Sequence, residues 1–116
     1  PNEISLVLQV TYGEYSFLLT GDAGKDAEEG FLSQVQPVTG LKAGHHGSDT
    51  SSTEAFLQKA QPEYVVISVG AGNSYGHPSP AMLERLDENC QVLRTDEKGS
   101  IVFTVKEGEL HVSTAR

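Results

Sequence analysis

The run Tyr64-Val-Val-Ile-Ser-Val69 constrains the fold more than any other stretch of this chain. Its residues are β-branched or aromatic apart from one serine, with none of the apolar–polar alternation of a half-exposed strand. It is far short of the ~20 apolar residues that cross a bilayer. A short, continuous apolar run bounded by turn residues is the pattern of a strand covered on both faces. Pro62 precedes it and a glycine-rich segment, residues 70–80, follows. Such a strand needs partners at its edges and layers packed on it, which directs the chain towards an α/β arrangement.

The flanking segments supply those layers. Ser51-Ser-Thr-Glu54 reads as a capping box opening a helix that buries Phe56, Leu57 and Ala60 and stops at Pro62. Ser79, with Pro80 at the first helical position, starts another helix with Met82, Leu83 and Leu86 on its inner face. Residues 4–22 read as two strands joined at Gly13-Glu14, and a helix begins at Lys25 with Phe31, Leu32 and Val35 on one face and ends at Pro37. Asp26, Glu28 and Glu29 suit its first turn. Residues 38–44 and 91–95 are further strands. Residues 96–99 form a turn, and 100–106 with 109–113 make a closing hairpin across Glu107-Gly108. The order is β-β-α-β-α-β-α-β-β-β, a mixed sheet with helices packed on one side, and residues 1–116 suit one domain. The chain opens at Pro1 without a methionine, which reads as a piece of a longer protein.

A formal net charge of −8 argues against nucleic-acid binding through a general basic patch. The single cysteine, Cys90, excludes an internal disulfide and a cysteine-based zinc cluster. Reactive side chains concentrate instead in three loops that each follow an expected strand: Gly21-Asp22, Gly44-His-His-Gly-Ser48 and Tyr75-Gly-His77-Pro78. Ligands of open α/β sheets bind beyond the carboxyl ends of strands, and a carboxylate with imidazoles suits zinc, manganese or iron. Plainer roles compete. Asp22 could cap the next helix, His45-His46 could be solvated loop residues, and His77 could be turn chemistry. A rival appears at Gly72-Asn-Ser74-Tyr-Gly76, which matches the Gly-x-Ser-x-Gly nucleophile pattern. That chemistry needs a strand running straight into a helix at the serine, and here the next helix starts only near Pro80. His111, in the terminal hairpin, reads as a surface strand position.

The segments "NEISLVLQV", "FLLTGD", "LKAGHHGSDTSS", "YVVISVGAGNSYGHPSPAMLERL" and "VLRTDEKGSIVFTV" together resemble the second half of the metallo-β-lactamase-like domain. The match is to the domain of ComEC-type DNA-internalisation (competence) proteins, and it covers essentially the whole chain. The resemblance implies an αββα-type fold of which this chain is half of the sandwich. It implies that Asp22 is the metal-bridging aspartate and His45 a ligand of the second metal. His46 would be an alternative ligand or a phosphate contact, and His77 a phosphate binder or proton donor to the leaving group. Asn2 and Ser5 stand where many relatives carry a further histidine. The family's main motif, His-x-His-x-Asp-His, is absent, and no two of His45, His46, His77 and His111 are spaced to form part of it.

The function implied is that of a metal-dependent nuclease or phosphodiesterase serving the uptake of transforming DNA. Zinc or manganese would be the cofactor of the complete domain, with little or none bound by this half, which is expected to be inactive alone. The expected partners are DNA, the N-terminal half of the same domain, and further copies of this chain through an exposed sheet face. The setting implied is a soluble domain of a bacterial inner-membrane protein, on the extracytoplasmic side. The competing class is a binding or assembly module that has kept the fold without the chemistry.

Overall fold

The computed structural model describes residues 7–21, 25–44, 52–69, 78–86 and 88–115. Two strands open it, β1 (Leu8–Tyr12) and β2 (Tyr15–Leu19), joined by a two-residue turn with Gly13 at φ 59°. Helix α1 (Lys25–Phe31) runs into a 3-10 turn, Leu32–Gln34, and leads to β3 (Gly40–Lys42). Helix α2 (Glu54–Ala60), β4 (Tyr64–Ile67), α3 (Pro80–Glu84) and β5 (Gln91–Arg94) follow. A one-turn helix α4 (Thr95–Lys98) precedes the hairpin β6 (Ile101–Lys106) and β7 (Glu109–Thr114).

The order matches the sequence reading except at α4. There the four residues expected as a turn close one helical turn, with Gly99 N donating to Thr95 O at 2.9 Å. A turn and a single helical turn differ by only one such bond, so sequence separates them poorly. Glu107 and Gly108 both have positive φ, 53° and 81°, as a tight two-residue hairpin turn requires.

Among the described residues, five strands form one sheet in the order β1-β2-β3-β4-β5, and β6-β7 form a second, two-stranded sheet. β1 pairs antiparallel with β2, whereas β2, β3, β4 and β5 pair parallel to one another. Parallel pairing needs a crossover between successive strands, and α1, α2 and α3 supply it.

The two faces of the large sheet differ. On one, Leu18, Leu41, Val65 and Ile67 pack with Phe56, Leu57 and Ala60 of α2 and Met82 of α3, and Phe31 and Phe56 meet edge-to-face at 5.8 Å. The other face carries Phe17, Tyr64 and Val66, and the hairpin lies against it. Phe103 of β6 sits with its ring centroid 5.5 Å from both Phe17 and Tyr64, and Tyr15 Oη donates to Gly108 O at 3.0 Å. The double cover expected of β4 is therefore unequal. Helices seal Val65 and Ile67 completely, and the hairpin half-covers Tyr64 and Val66.

Gly40 makes the second face possible. A Cβ there would lie 2.7 Å from Phe17 Cδ1, so only glycine lets that ring rest on β3. Beside it, Val10, Leu19, Lys42, Val66 and Ile101 border a shallow apolar cavity of about 470 Å³ that continues onto the open part of the face.

Candidate active site

Parallel pairing brings the carboxyl ends of β2, β3, β4 and β5 to a single edge of the sheet. Neighbouring strands are ~4.8 Å apart, so the ends of β2, β3 and β4 fall within about 10 Å. Asp22, His45, His46 and His77 lie outside the described residues, as do Ser74, Asn2 and Ser5. The described flanks of Asp22 and His45 belong to this edge. Thr20 and Gly21 follow β2 and precede Asp22, and Ala43 and Gly44 follow β3 and precede His45. Val69 lies two residues beyond β4, ahead of the glycine-rich segment, and buried Pro78 directly follows His77.

Side chains fasten these ends. Thr20, fully buried, donates through Oγ1 to Lys42 O at 3.1 Å and locks the end of β2 to β3. Ala43 N donates to Val66 O at 2.9 Å and extends the ladder from β3 to β4. Thr95 both accepts from Val69 N and donates to Val69 O through its Oγ1, each at 2.8 Å, and so ties the end of β4 to the end of β5. A threonine hydroxyl can do both because it carries one proton and two lone pairs.

The segment bearing His45 and His46 is held at its far end by an arrangement that sequence reasoning missed. In place of the expected Ser51–Glu54 capping box, the cap of α2 falls two residues later. Thr53 is the N-cap of α2, its Oγ1 accepting from Phe56 N at 3.4 Å, while Ser51 lies outside the described residues. The carboxylate reaching back comes from Glu28 on α1, not from Glu54. Its Oε1 accepts from Thr53 N at 2.9 Å and its Oε2 from Ser52 N. Glu28 is only 1% exposed, and burial raises its pKa above the usual carboxylate value, opposed by those two backbone N–H groups and by the Arg85 charge. Arg85 Nη1 in turn donates to Ser52 O at 3.3 Å. The sequence did hold a signal, since Glu28 shares a helical stripe with Phe31, Leu32 and Val35, and an acid on an apolar stripe must find a partner.

At the same edge Arg94 grips Asp96 with two bonds, Nε to Oδ1 at 3.0 Å and Nη2 to Oδ2 at 2.7 Å, with Glu97 Oε2 3.6 Å from Nη1. The bond to Arg94 holds the Asp96 carboxyl below its usual range. Ser79 takes the N-cap position of α3 without a side-chain hydrogen bond, so Pro80 alone carries the start expected there. His111 is exposed on β7, its Nε2 3.7 Å from Glu109 Oε2, on the hairpin as expected.

Among the described residues, no three His, Cys, Asp or Glu side chains are grouped to hold a metal ion. The donors expected from sequence are one carboxylate and imidazoles following adjacent strand ends. They fit zinc or manganese in kind and fall short of a complete set in number. No helix among the described residues is long and apolar enough to cross a membrane.

A parallel sheet whose catalytic candidates all follow strand ends has many possible relatives, and the comparisons decide among them. Residues 1–71 match the family model described as the metallo-beta-lactamase superfamily. The chain belongs to that superfamily. Within it, the chain is 40% identical over 108 residues to ComE operon protein 3 of Bacillus subtilis (strain 168), covering 90% of this chain and 14% of that protein. It is 37% identical to Competence protein ComA of Neisseria gonorrhoeae, over 99% of this chain and 17% of that protein. It is 34% identical to Recombination protein 2 of Haemophilus influenzae (strain ATCC 51907 / DSM 11121 / KW20 / Rd), over 99% of this chain and 15% of that protein. This is a metallo-beta-lactamase-fold segment of the competence-protein type, and it spans less than a fifth of the length of those relatives.

Proposed function

We propose that this segment is the C-terminal half of a metal-dependent phosphodiesterase domain that hydrolyses DNA during uptake of transforming DNA. The observation that carries the reading is the shared carboxyl edge of β2, β3 and β4, from which the chain runs directly into Asp22, into His45-His46 and towards His77. Asp22 and His45 would hold zinc or manganese together with ligands from the N-terminal half. When bound, the metal supplies Lewis acidity at the phosphodiester and offsets the negative charge of this acidic chain. His46 would contact a phosphate oxygen, and His77 would steady charge on the departing oxygen or protonate it. The N-terminal half also fits the open face around Val10 and Tyr12, and without it this segment would associate with itself. The reading includes a membrane-bound uptake protein carrying this domain on its extracytoplasmic side, and what the relatives' names support is the link to competence.

The test uses the protein with its complete domain and labelled single- and double-stranded DNA. Cleavage that requires zinc or manganese and is lost in Asp22→Ala and His77→Ala is the expected result. A metal-loaded complete domain that binds DNA without cleaving it would overturn the reading in favour of a binding or assembly module. For the isolated segment, calorimetric titration is expected to show weak zinc uptake. Tight stoichiometric uptake lost in Asp22→Ala would contradict the half-site reading.

A further inference from the structure

Arg85, Arg94 and Lys42 are half-buried cations, whereas Lys59, Lys98 and Lys106 are exposed. Arg85 donates to Ser52 O, and Arg94 grips Asp96 with two bonds. The Lys42 ammonium has neither a hydrogen bond nor an ion pair among the described residues. Its backbone is fixed, since Lys42 O accepts from Thr20 Oγ1 at 3.1 Å. The chain holds 16 acidic residues against 8 lysines and arginines, so carboxylates are plentiful. A half-buried cation that none of them meets has given up part of its water without a counter-charge in return.

Register shows where this cation stands. Lys42 is the last residue of β3, paired with Leu19, the last of β2, on one side and with Val66 on the other. Successive side chains of a strand alternate between faces. Leu41 joins the core on the helix side, so Lys42 and Gly40 share the hairpin face. Phe103 covers Phe17 and Tyr64, the two partners of Gly40. Lys42 therefore lies one row nearer the carboxyl edge than that cover. It borders the apolar cavity of about 470 Å³ together with Val10, Leu19, Val66 and Ile101, and no acidic residue lines that cavity. Apolar walls keep the local dielectric low and strengthen the pull of an ammonium on an anion. A lysine can also lay its stem on apolar surface with the head in water, a role that predicts no anion binding.

We propose that Lys42 is a phosphate-binding residue: at the end of β3, on the hairpin face, its ammonium pairs with a backbone phosphate of a DNA strand lying along the carboxyl edge of the sheet. Ligands of parallel sheets bind beyond that edge, and an ammonium is a compact point charge suited to a phosphate oxygen. A single cation set there is a focused contact, which a chain of net charge −8 needs in place of a general basic patch. That the phosphate belongs to DNA rests on the function proposed above.

The experiment uses the full protein and a fluorescently labelled single-stranded oligonucleotide whose phosphorothioate linkages resist hydrolysis. Binding is titrated over a range of salt for wild type, Lys42→Met, Lys42→Arg and Lys106→Met. Methionine keeps an apolar stem without the charge, and arginine keeps the charge. Lys106 is the control: it adjoins the Glu107-Gly108 turn, which Tyr15 at the start of β2 holds at the opposite end of the sheet. Lys42→Met should weaken binding roughly tenfold. It should also lower the slope of log affinity against log salt by about 0.7, the share of one phosphate contact on a single strand. Lys42→Arg should keep the wild-type slope, and Lys106→Met should change neither quantity. An unchanged slope in Lys42→Met would overturn the proposal, and with a lowered melting temperature it would assign the ammonium to a carboxylate elsewhere in the protein. Equal losses in Lys42→Met and Lys106→Met would overturn it in favour of overall charge, and a wild-type protein that binds no oligonucleotide would overturn it outright. Wild type that shows the expected slopes but leaves unmodified DNA uncleaved would refute hydrolysis alone and uphold the role of Lys42.

Discussion

In β4, Val65 and Ile67 are wholly buried, whereas in β1 Leu8, Val10 and Tyr12 are 49%, 52% and 67% exposed. Both strands are rich in β-branched and aromatic residues, and what separates them is position. β4 lies between β3 and β5 beneath α2 and α3, while β1 is an antiparallel edge strand whose apolar residues share the face opposite the helices. Among the described residues the hairpin covers that face in part, with Phe103 over Phe17 and Tyr64 and Gly108 bonded to Tyr15. One side of the sheet is thus a finished core and the other an unfinished one. An apolar edge strand left open is a liability that proteins normally cover.

The largest effect should come from the finished side. Phe56→Ala removes a fully buried ring against Phe31 and should cost about 3–5 kcal/mol in urea unfolding. A loss below 1 kcal/mol would erase the contrast between the faces. Gly40→Ala probes the covered part of the second face, where a methyl would strike the Phe17 ring. It should cost about 1–3 kcal/mol as overpacking, and a neutral result would show that the hairpin side is slack throughout.

A smaller effect is expected at the carboxyl edge, read through pH. Because its folded pKa is lowered, Asp96 contributes stability that is complete above its ordinary value of 3.8 and is lost as pH falls through the folded value. Asp96→Asn should therefore flatten the acid limb of a stability–pH curve. Glu28 has the opposite sign: with its folded pKa raised above 4.5, its contribution weakens as pH rises through that interval. A Glu28→Gln curve that flattens in the same direction as Asp96→Asn would contradict this assignment.

The smallest change in stability belongs to β1. Val10→Thr and Tyr12→Lys should leave the unfolding free energy within about 0.5 kcal/mol of the parent. They should nevertheless reduce self-association of the isolated segment in light scattering. A strict monomer before substitution would remove the case for an open, occupant-seeking face.

Much of this architecture was legible because local chemistry and the final fold agree. Gly13-Glu14 and Glu107-Gly108 turn where tight hairpins were expected, Pro80 begins α3, and Phe56, Leu57, Ala60 and Met82 are buried on the predicted helix faces. The strands came out shorter than the apolar runs. β3 keeps only Gly40–Lys42 of the expected 38–44, since ladder pairing, not hydrophobicity, sets where a strand ends. The three candidate loops could be placed at strand ends, yet that alone did not show that the ends share an edge.

The sequence by itself determined the alternation of strands and helices, the turn positions and the residue types from which a half-site could be made. Those depend on neighbours a few residues away, where spacing and side-chain chemistry act directly. Only the tertiary structure decided that β2, β3 and β4 run parallel to one edge, that Phe17 lies over Gly40, and that the chain following His45 and His46 is held by Glu28 from another helix. A buried carboxylate must be bonded, but a linear pattern does not say to what. Its partners are 24 and 25 residues away, and packing of α1 against the start of α2 chooses them.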